Sequence, residues 1–494
     1  MTGGLRERLA FNFGGGTVPS RRAVEAAIAR ENEPTFATAP YSEPRDWGYA
    51  GLLAFTAVLM TRPQDTLRFL DPLHLAELCA IIGIGPMVLH RLASRQPVFR
   101  VTPETTGLLA FGAAILLSVP FSIWPGGSFG LFTDSYLKLL VIFVLMMNTL
   151  TTPKRIEQIT WVIVLSCGFI AFRSVFDYAR GVNLVEGNRL AGPVGGIFGN
   201  PNDLAMNMVT FLPAAAVFAL SKQASTSTRL LAAAAAALML ATIVFTKSRG
   251  GFLGLAVVLL VLLVLGRKVR PGFGTIAVVA VLCATPFMPA TFWERMASIV
   301  DDRKDKQEFT GTREARWTVM KEGLRAFAAR PITGVGAGVF QAYNPPGRKE
   351  TWKETHNAPI QVAAETGIFG VAAFLFLVFR AGLGTRTTRR LLERGRGLAR
   401  RHDPLSRILD ADDRRAMQAH TVAMTAGFAG WFVCSLFASV AYNWTFYYLL
   451  ALIVASREMV LARVRAARSL PADPVKQISV SPTPRSPVVA PGVR

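Results

Sequence analysis

Histidine and cysteine, the residues that most often hold metal ions, are scarce in this chain. The 494 residues include five His and four Cys. No cysteine has a partner at disulfide or metal-ligand spacing, and no group of His, Asp and Glu has ligand spacing either. We therefore predict that the protein holds no metal and that the cysteines are packing residues. All four lie in apolar runs: Cys79, Cys167, Cys283 and Cys434.

Acidic residues are also few, since 32 Asp and Glu stand against 54 Lys and Arg, and the formal net charge is +22. A charge of this sign can indicate nucleic-acid binding. Here, however, the arginines lie mainly in short loops between apolar runs, and no recognition helix or zinc motif accompanies them. We predict no nucleic-acid partner. Because no apolar run precedes Trp47, we also expect no cleaved signal peptide.

The apolar residues gather into twelve runs with little or no charge. A helix of about 20 residues crosses the ~30 Å hydrocarbon core of a membrane. The runs therefore predict an all-α fold, a polytopic integral membrane bundle of about twelve transmembrane helices. They lie at residues 48–60, 73–89, 105–123, 131–150, 159–175, 204–220, 230–245, 251–265, 273–288, 358–379, 419–440 and 445–459.

Lys and Arg alternate between the loops that join these runs. The loops at 153–155 and 267–270 are basic, whereas those at 124–128 and 442–444 carry no Lys or Arg. Because basic loops remain in the cytoplasm, we predict that both termini are cytoplasmic. The predicted domains are a disordered cytoplasmic tail at 1–46, a transmembrane domain at 47–460 and a second disordered cytoplasmic tail at 461–494.

Two long loops interrupt the transmembrane domain. One is a basic cytoplasmic loop at 380–417, and the other is an outer, periplasmic loop at 291–357. The outer loop is basic too, but loops longer than about 60 residues largely escape the charge rule. A large outer loop that docks on a helical bundle would form a roof over a site.

Part of the outer loop has the pattern of a helix. Thr312 can cap its start, and Arg330-Pro331 would end it. Trp317, Met320 and Leu324 share one face at helical spacing. We predict that this face packs against the membrane domain.

Two groups of cations lie in outer segments. Lys247 and Arg249 belong to the short turn Thr-Lys-Ser-Arg-Gly-Gly, and dehydrated charges at a membrane edge usually have a partner or a function. Arg313 and Arg316 belong to Gly-Thr-Arg-Glu-Ala-Arg-Trp, and the guanidinium fork suits a diphosphate. For Lys247 and Arg249, the alternative is a turn whose cationic side chains extend to the aqueous interface. For Arg313 and Arg316, the alternative is a solvated helix face on which Glu314 pairs with an arginine.

His356 is the only histidine predicted in an outer loop, within Glu-Thr-His-Asn-Ala-Pro. It would lie at a helix N-terminus, where the helix dipole and nearby arginines disfavour the imidazolium. A neutral imidazole can act as a general base, and the alternative is a structural helix cap. Arg189 precedes a Gly-, Pro- and Asn-rich outer segment and is a further candidate cation for a substrate.

Five motifs occur in a fixed order along the chain. They are Gly-Asn-Pro-Asn-Asp-Leu-Ala at 199–205, Ser-Arg-Gly-Gly at 248–251, Arg313 with Trp317, Arg-Pro-Ile-Thr-Gly-Val-Gly at 330–336, and His-Asn at 356–357 followed by Glu-Thr-Gly-Ile-Phe-Gly at 365–370. This series closely resembles the O-antigen ligase and polymerase superfamily, and the resemblance extends over about residues 48–459.

The resemblance implies a GT-C-like membrane glycosyltransferase that needs no metal or cofactor. Such an enzyme would act at the periplasmic face of a bacterial inner membrane, on a glycan linked to undecaprenyl diphosphate. Arg249 and Arg313 match arginines assigned to the diphosphate, and His356 matches the histidine proposed to activate the acceptor hydroxyl. The further candidates for substrate binding are Arg189, Lys247, Arg316 and Asn357.

Several functions stay open. The acceptor of a transferase would be lipid A–core for a ligase, another repeat unit for a polymerase, or a protein hydroxyl, and we favour a ligase or polymerase. The alternative from another class is a transporter or flippase of lipid-linked or anionic glycan. Ion-coupled transporters usually carry ionisable residues in mid-membrane, and here only Glu77 and Asp134 are candidates, without an internal repeat. A non-catalytic assembly subunit would leave His356 and the arginines unexplained.

Overall fold

The computed structural model describes residues 46–185, 188–195, 198–221, 223–268, 271–297, 313–343, 354–393 and 409–469. About 80% of this part of the chain is helical, which confirms the all-α class. The predicted tails lie outside the described residues up to residue 45 and from residue 470.

The elements follow the predicted runs closely. The helices are α1 (Trp47–Thr61), α2 (Pro63–Thr66), α3 (Leu75–Ala93), α4 (Pro103–Ser118), α5 (Pro125–Gly130), α6 (Leu137–Thr149), α7 (Pro153–Ala179), α8 (Pro201–Ala219), α9 (Thr226–Phe245), α10 (Arg249–Leu265), α11 (Phe273–Ala284), α12 (Ala290–Ala297), α13 (Arg313–Ala329), α14 (Ala358–Glu393), α15 (Ala411–Ser435) and α16 (Trp444–Ser469). A π-helix (Leu131–Tyr136) joins α5 to α6, and short 3₁₀ turns are Arg68–Leu73, Val119–Phe121, Gly266–Lys268, Thr285–Phe287 and Phe340–Ala342. A two-stranded antiparallel hairpin, β1 (Leu184–Val185) with β2 (Arg189–Leu190), precedes α8.

A helix overlaps each of the twelve apolar runs. Within the described ranges, eight helical spans are long and apolar enough to cross a membrane, and α10 and α11 are shorter apolar helices. The chain is therefore a multi-pass membrane protein, and the count of twelve crossings stays a prediction.

Helix starts follow from local capping chemistry. α4 and α8 both begin with proline directly after a capping side chain. Thr102 Oγ1 accepts from the Thr105 N–H at 3.1 Å, and Asn200 Oδ1 accepts from the Asn202 N–H at 2.8 Å. Proline is favoured at this position because the first helical N–H has no partner within the helix. These caps explain why α4 and α8 begin two and three residues before the predicted runs at 105–123 and 204–220.

α16 lies at the centre of the bundle, and 89% of its apolar 18-residue stretch is buried inside the protein. Around it, glycines allow neighbouring helices to approach closely, as is typical inside membranes. A Cβ atom on Gly427 of α15 would lie 2.3 Å from the Thr210 carbonyl oxygen of α8. A Cβ atom on Gly254 of α10 would lie 2.5 Å from the Cys434 Sγ of α15. α8, α10 and α15 thus form one tightly packed group.

A buried ion cluster joins α4, α14 and α16 at the predicted cytoplasmic end. Glu104 is fully buried, and its two carboxylate oxygens each accept from an Arg457 nitrogen at 2.7 Å. Arg380 Nε donates to the same carboxylate at 2.7 Å. A carboxylate in the interior needs such partners, because an isolated buried charge costs several kcal/mol. The sequence pattern did not single out Glu104, since its partners lie 276 and 353 residues further along the chain.

Several helices extend beyond their predicted runs, and α14 and α16 extend the furthest at their C-terminal ends. α14 continues to Glu393, well into the predicted cytoplasmic loop at 380–417, and α16 continues to Ser469, past the predicted domain boundary at 460. An apolar run in the sequence marks only the part of a helix that lies in the hydrocarbon core of the membrane. Arginine and leucine are good helix formers, so both helices extend beyond it.

α14 is broken near its outer end. Gly367 has φ +67°, and the next N–H, that of Ile368, donates to the Pro331 carbonyl at 2.8 Å. Two residues before Gly367, the buried Glu365 carboxylate accepts from the Gly338 N–H at 3.0 Å. The break therefore fastens the segment after α13 to the outer part of α14, which follows His356.

The predicted packing face of α13 is wrong. Trp317 and Leu324 are 55% and 49% exposed, whereas Val319 and Ala326, on the other face, are 7% and 0% exposed. The reason is Gly323, where a Cβ atom would lie 2.8 Å from Ile360 Cγ2 of α14. A glycine permits this close approach of α13 to α14. The close packing at Gly323 therefore determines which face of α13 is buried, although Trp317 and Leu324 have the larger apolar area. The end of α13 agrees with the prediction, and Thr312, its predicted cap, lies outside the described residues.

Candidate functional site

The turn between α9 and α10 is almost completely buried. Thr246, Lys247 and Ser248 are 0%, 2% and 3% exposed, and Lys247 has φ +48°. Ser248 caps α10, because its Oγ accepts from the Gly251 N–H at 3.2 Å. Arg249 is the first residue of α10 and is partly exposed. A helix N-terminus with adjacent cations favours bound anions.

Arg189 joins this turn from a distant part of the sequence. It is 4% exposed, and its Nε donates to the Thr246 carbonyl at 3.2 Å. Its Nη2 donates to Asn202 Oδ1 at 2.8 Å, and the same oxygen accepts from Ser248 Oγ at 2.9 Å. Asn202 therefore connects Arg189 to the start of α10. Asn202 belongs to the motif at 199–205, but nothing in the sequence distinguishes it as the residue that joins Arg189 to the turn.

His356 lies in a tight turn directly before α14. Its backbone has φ +52°, and its N–H donates to Ser439 Oγ at 2.9 Å. Asn357, not His356, supplies the helix cap, since Asn357 Oδ1 accepts from the Ile360 N–H at 3.0 Å. The alternative in which His356 caps the helix is therefore wrong, because the capping side chain is that of Asn357. Asn357 Nδ2 also donates to the Leu436 carbonyl at 3.1 Å, so much of this amide is engaged within the protein.

The turn that contains Arg249 and the turn that contains His356 meet at the end of α15. A Cβ atom on Gly250 would lie 3.0 Å from Phe437 Cβ, and Cys434 Sγ donates to the Gly250 carbonyl at 3.4 Å. Two residues beyond Phe437, Ser439 binds the backbone of His356. We call residues 434–439 the α15 end segment. It holds both turns at one end of the bundle, the end predicted to face the periplasm.

Two carboxylates lie beside this arrangement. Glu354 accepts from Gln341 Nε2 at 2.7 Å, and it interacts electrostatically with Asp203 at the start of α8. Burial raises the pKa of Glu354 above its ordinary 4.5, although the hydrogen bond from Gln341 opposes the shift. Glu354 lies in the same motif as His356, which was the available signal, but its burial depends on the fold.

The raised pKa of Glu354 predicts a pH-dependent stability. The folded protein holds this proton to a higher pH than the unfolded chain does, so stability should fall as the pH rises from 4.5 through the folded pKa. Glu354→Gln keeps an acceptor for Gln341 but cannot ionise. Thermal unfolding measured across this range should show the melting temperature of the variant rising relative to wild type as the pH increases. Parallel pH profiles would contradict a buried, destabilised carboxylate at this position.

The two remaining arginine candidates lie on α13. This helix packs beside the His356 turn, since a Cβ atom on Gly323 would lie 3.3 Å from Thr355 Cγ2. Arg316 is partly buried, and the side chain of Arg313 lies outside the described residues. The fold thus brings α13 to the site, and the positions of these guanidinium groups relative to Arg249 stay a prediction.

Among the residues that the structure describes, no group of three or more His, Cys, Asp or Glu side chains could hold a metal ion. The site offers buried cationic and amide groups around the start of α10, and the α15 end segment links them to a histidine directly before α14. This arrangement suits an anionic ligand and a proton acceptor in one place.

Comparison with known proteins gives one family. The model of the O-antigen ligase family matches residues 234–375, which include Lys247, Arg249, Arg316 and His356 but not Arg189. No curated protein matches the chain. Over these residues, the family match confirms the resemblance to the O-antigen ligase and polymerase superfamily that the ordered motifs indicated.

Proposed function

We propose that this protein transfers a glycan from undecaprenyl diphosphate to an acceptor hydroxyl at the periplasmic face of the inner membrane. The family match supports an O-antigen ligase-like glycosyltransferase activity in general. The observation that carries the finer proposal is that the α15 end segment touches both Gly250, beside Arg249, and the backbone of His356. An anion-binding turn and a candidate base are thereby held together.

In this proposal the cations bind the donor diphosphate. Arg249 and Arg313 neutralise the charge that grows on the diphosphate as it leaves, assisted by Lys247 and Arg316. Arg189 is held by Thr246 and Asn202, so it contributes mainly positive potential and a fixed shape to the turn. Since the Arg189 guanidinium is oriented before the donor arrives, it needs little reorganisation during the reaction.

His356 acts as the general base. Its imidazole takes the proton from the acceptor hydroxyl, and the acceptor oxygen forms a bond to the anomeric carbon of the donor sugar. The bond between that carbon and the diphosphate oxygen breaks on the opposite side, so the configuration inverts and undecaprenyl diphosphate leaves. The donor is already activated by its diphosphate, and no nucleotide or metal is required. Asn357 fixes the turn from which the imidazole projects.

The acceptor class is tested by a transfer assay with the purified full-length protein. A labelled glycan on undecaprenyl diphosphate is offered separately with lipid A–core, with a second repeat unit and with a Ser-containing protein acceptor. Each mixture lacks nucleotide and contains excess EDTA. We expect transfer to lipid A–core or to the repeat unit, at an undiminished rate under chelation. Loss of transfer in EDTA with rescue by Mg²⁺ or Mn²⁺ would instead identify a metal-dependent transferase and require new roles for the arginines.

The orientation of the site is tested by accessibility tags. Tags inserted within 386–407 should report the cytoplasm, and tags within 302–307 should report the periplasm, because Lys and Arg alternate between the loops. If both tags report the same side, the site cannot face the periplasm as proposed.

A further inference from the structure

The hydroxyl of Ser439 lies at the centre of a short hydrogen-bond chain around His356. Ser439 Oγ accepts from the His356 N–H at 2.9 Å and lies 3.0 Å from Thr355 Oγ1. Thr355 Oγ1 in turn donates to the Asn357 carbonyl at 3.1 Å. Because the single threonine proton is used there, the proton between the two hydroxyls must come from Ser439. The hydrogen-bond chain thus runs from the His356 N–H through the hydroxyls of Ser439 and Thr355 to the Asn357 carbonyl. Each of the two hydroxyls both donates and accepts a hydrogen bond.

This chain holds an uncommon backbone conformation. His356 has φ +52°, in the left-handed region that residues with a side chain seldom occupy. Residues kept in such conformations persist when surrounding contacts determine them, and they concentrate at functional sites. The Asn357 cap restrains the residue after His356, whereas Ser439 binds the N–H of His356 itself. A return to ordinary negative φ would swing the imidazole away from its present direction.

We propose that Ser439 is a positioning residue that sets the direction of the His356 imidazole through the backbone. The inference rests on the proposed function, in which His356 is the base. Ser439 makes no contact with a reacting atom in this account. It acts only through His356. Its replacement should therefore lower the transfer rate without unfolding the protein, whereas replacing a residue needed for folding would lower stability.

The test compares Ser439→Ala, which removes the hydroxyl, with Ser439→Thr, which keeps it, in the glycan-transfer assay. Because a displacement of about 1 Å can cost a hundredfold in rate, we expect kcat of Ser439→Ala to fall by about 10- to 100-fold with KM for the donor unchanged. Ser439→Thr should recover most of the rate. Thr355→Val removes the neighbouring hydroxyl at similar volume and should lower kcat in the same way. Ser166→Ala is the matched control and should leave kcat unchanged, because Ser166 is a buried serine of α7, outside the α15 end segment.

A double variant distinguishes positioning from folding. If Ser439 acts through His356, then adding Ser439→Ala to His356→Ala should leave the residual rate unchanged. A further loss in the double variant, or wild-type kcat in Ser439→Ala, would overturn the positioning role alone. Failure of the wild-type protein to transfer glycan would overturn the proposed function, and the role of Ser439 with it.

A separate feature lies at the predicted cytoplasmic half of the bundle. A cavity of about 10 Å³ between α14, α15 and α16 is lined by Thr385, Thr388, His420, Thr421 and Ser456 together with two apolar residues. His420 Nε2 and Ser456 Oγ are buried there without a hydrogen-bond partner. The hydroxyls of Thr385, Thr388 and Thr421 donate to carbonyls of their own helices, which leaves their oxygens as acceptors.

The geometry points to a bound water molecule in this cavity, joining His420 Nε2 to Ser456 Oγ. A polar space of this size accommodates one water, and two to four polar neighbours are enough to hold it. Cryo-electron microscopy of the full chain in a lipid nanodisc, at a resolution that shows ordered water, tests the inference. We expect one density peak within hydrogen-bond distance of both atoms. An empty cavity, or a direct bond between His420 and Ser456 that closes it, would overturn the inference.

Discussion

Replacing His356 with alanine should lower glycan transfer by roughly a hundredfold to ten-thousandfold, the usual cost of losing a general base. The protein should still fold, insert and bind the donor lipid, because the α14 cap belongs to Asn357 and the bond to Ser439 uses the His356 backbone. The measurement is the initial rate of transfer at saturating donor, together with donor binding and thermal unfolding of the same preparation.

His356→Gln is the informative companion variant. Glutamine can hydrogen-bond to the acceptor but cannot take its proton at neutral pH. Activity as low as that of the alanine variant would assign the proton transfer to His356. Recovery of most of the wild-type rate would contradict the base and show that this side chain only orients the acceptor.

Arg249→Lys should reduce kcat/KM by about thirtyfold, which corresponds to roughly 2 kcal/mol of transition-state binding. Lysine keeps the charge but loses the planar fork that can donate two hydrogen bonds to a diphosphate. Arg313→Lys should have a similar effect. The transfer rate is measured against donor concentration for each variant at equal membrane levels.

A matched control lies beyond the other end of the same helix. Arg267 follows α10 at its predicted cytoplasmic end and is exposed, so Arg267→Lys should leave transfer unchanged. If Arg249→Lys also has wild-type kinetics, then Arg249 is only a solvated cation of the turn and its guanidinium fork does not bind the diphosphate. The α10 N-terminus would then bind the diphosphate without it, or not at all.

Much of the fold was predictable because the physical signals are local. An apolar run must become a helix in a membrane, since each backbone N–H and C=O needs an internal partner there. Prolines and capping side chains such as Thr102 and Asn200 then place the helix starts within a few residues. The tight turn from Thr246 to Arg249 was also readable, because cations interrupt two long apolar runs.

What the sequence did not reveal depends on contacts between distant segments. Asn202 meets Ser248 across 46 residues, and Ser439 meets His356 across 83 residues. Neither residue has a property of its own that distinguishes it from other polar residues in outer loops. The packing face of α13 was mispredicted for a related reason, since the close fit of Gly323 against Ile360 belongs to the pair of helices and not to the sequence of one.

The central claim is that the protein breaks the bond between glycan and diphosphate lipid while it forms a new glycosidic bond. The most direct measurement is the release of undecaprenyl diphosphate by the purified protein in detergent micelles, quantified beside the transferred glycan. Micelles offer no second compartment, so a transporter or flippase would yield no product. We predict equal amounts of released undecaprenyl diphosphate and transferred glycan, both dependent on the acceptor and on His356. An intact donor after prolonged incubation with every acceptor class, in a preparation that binds the donor, would contradict the account.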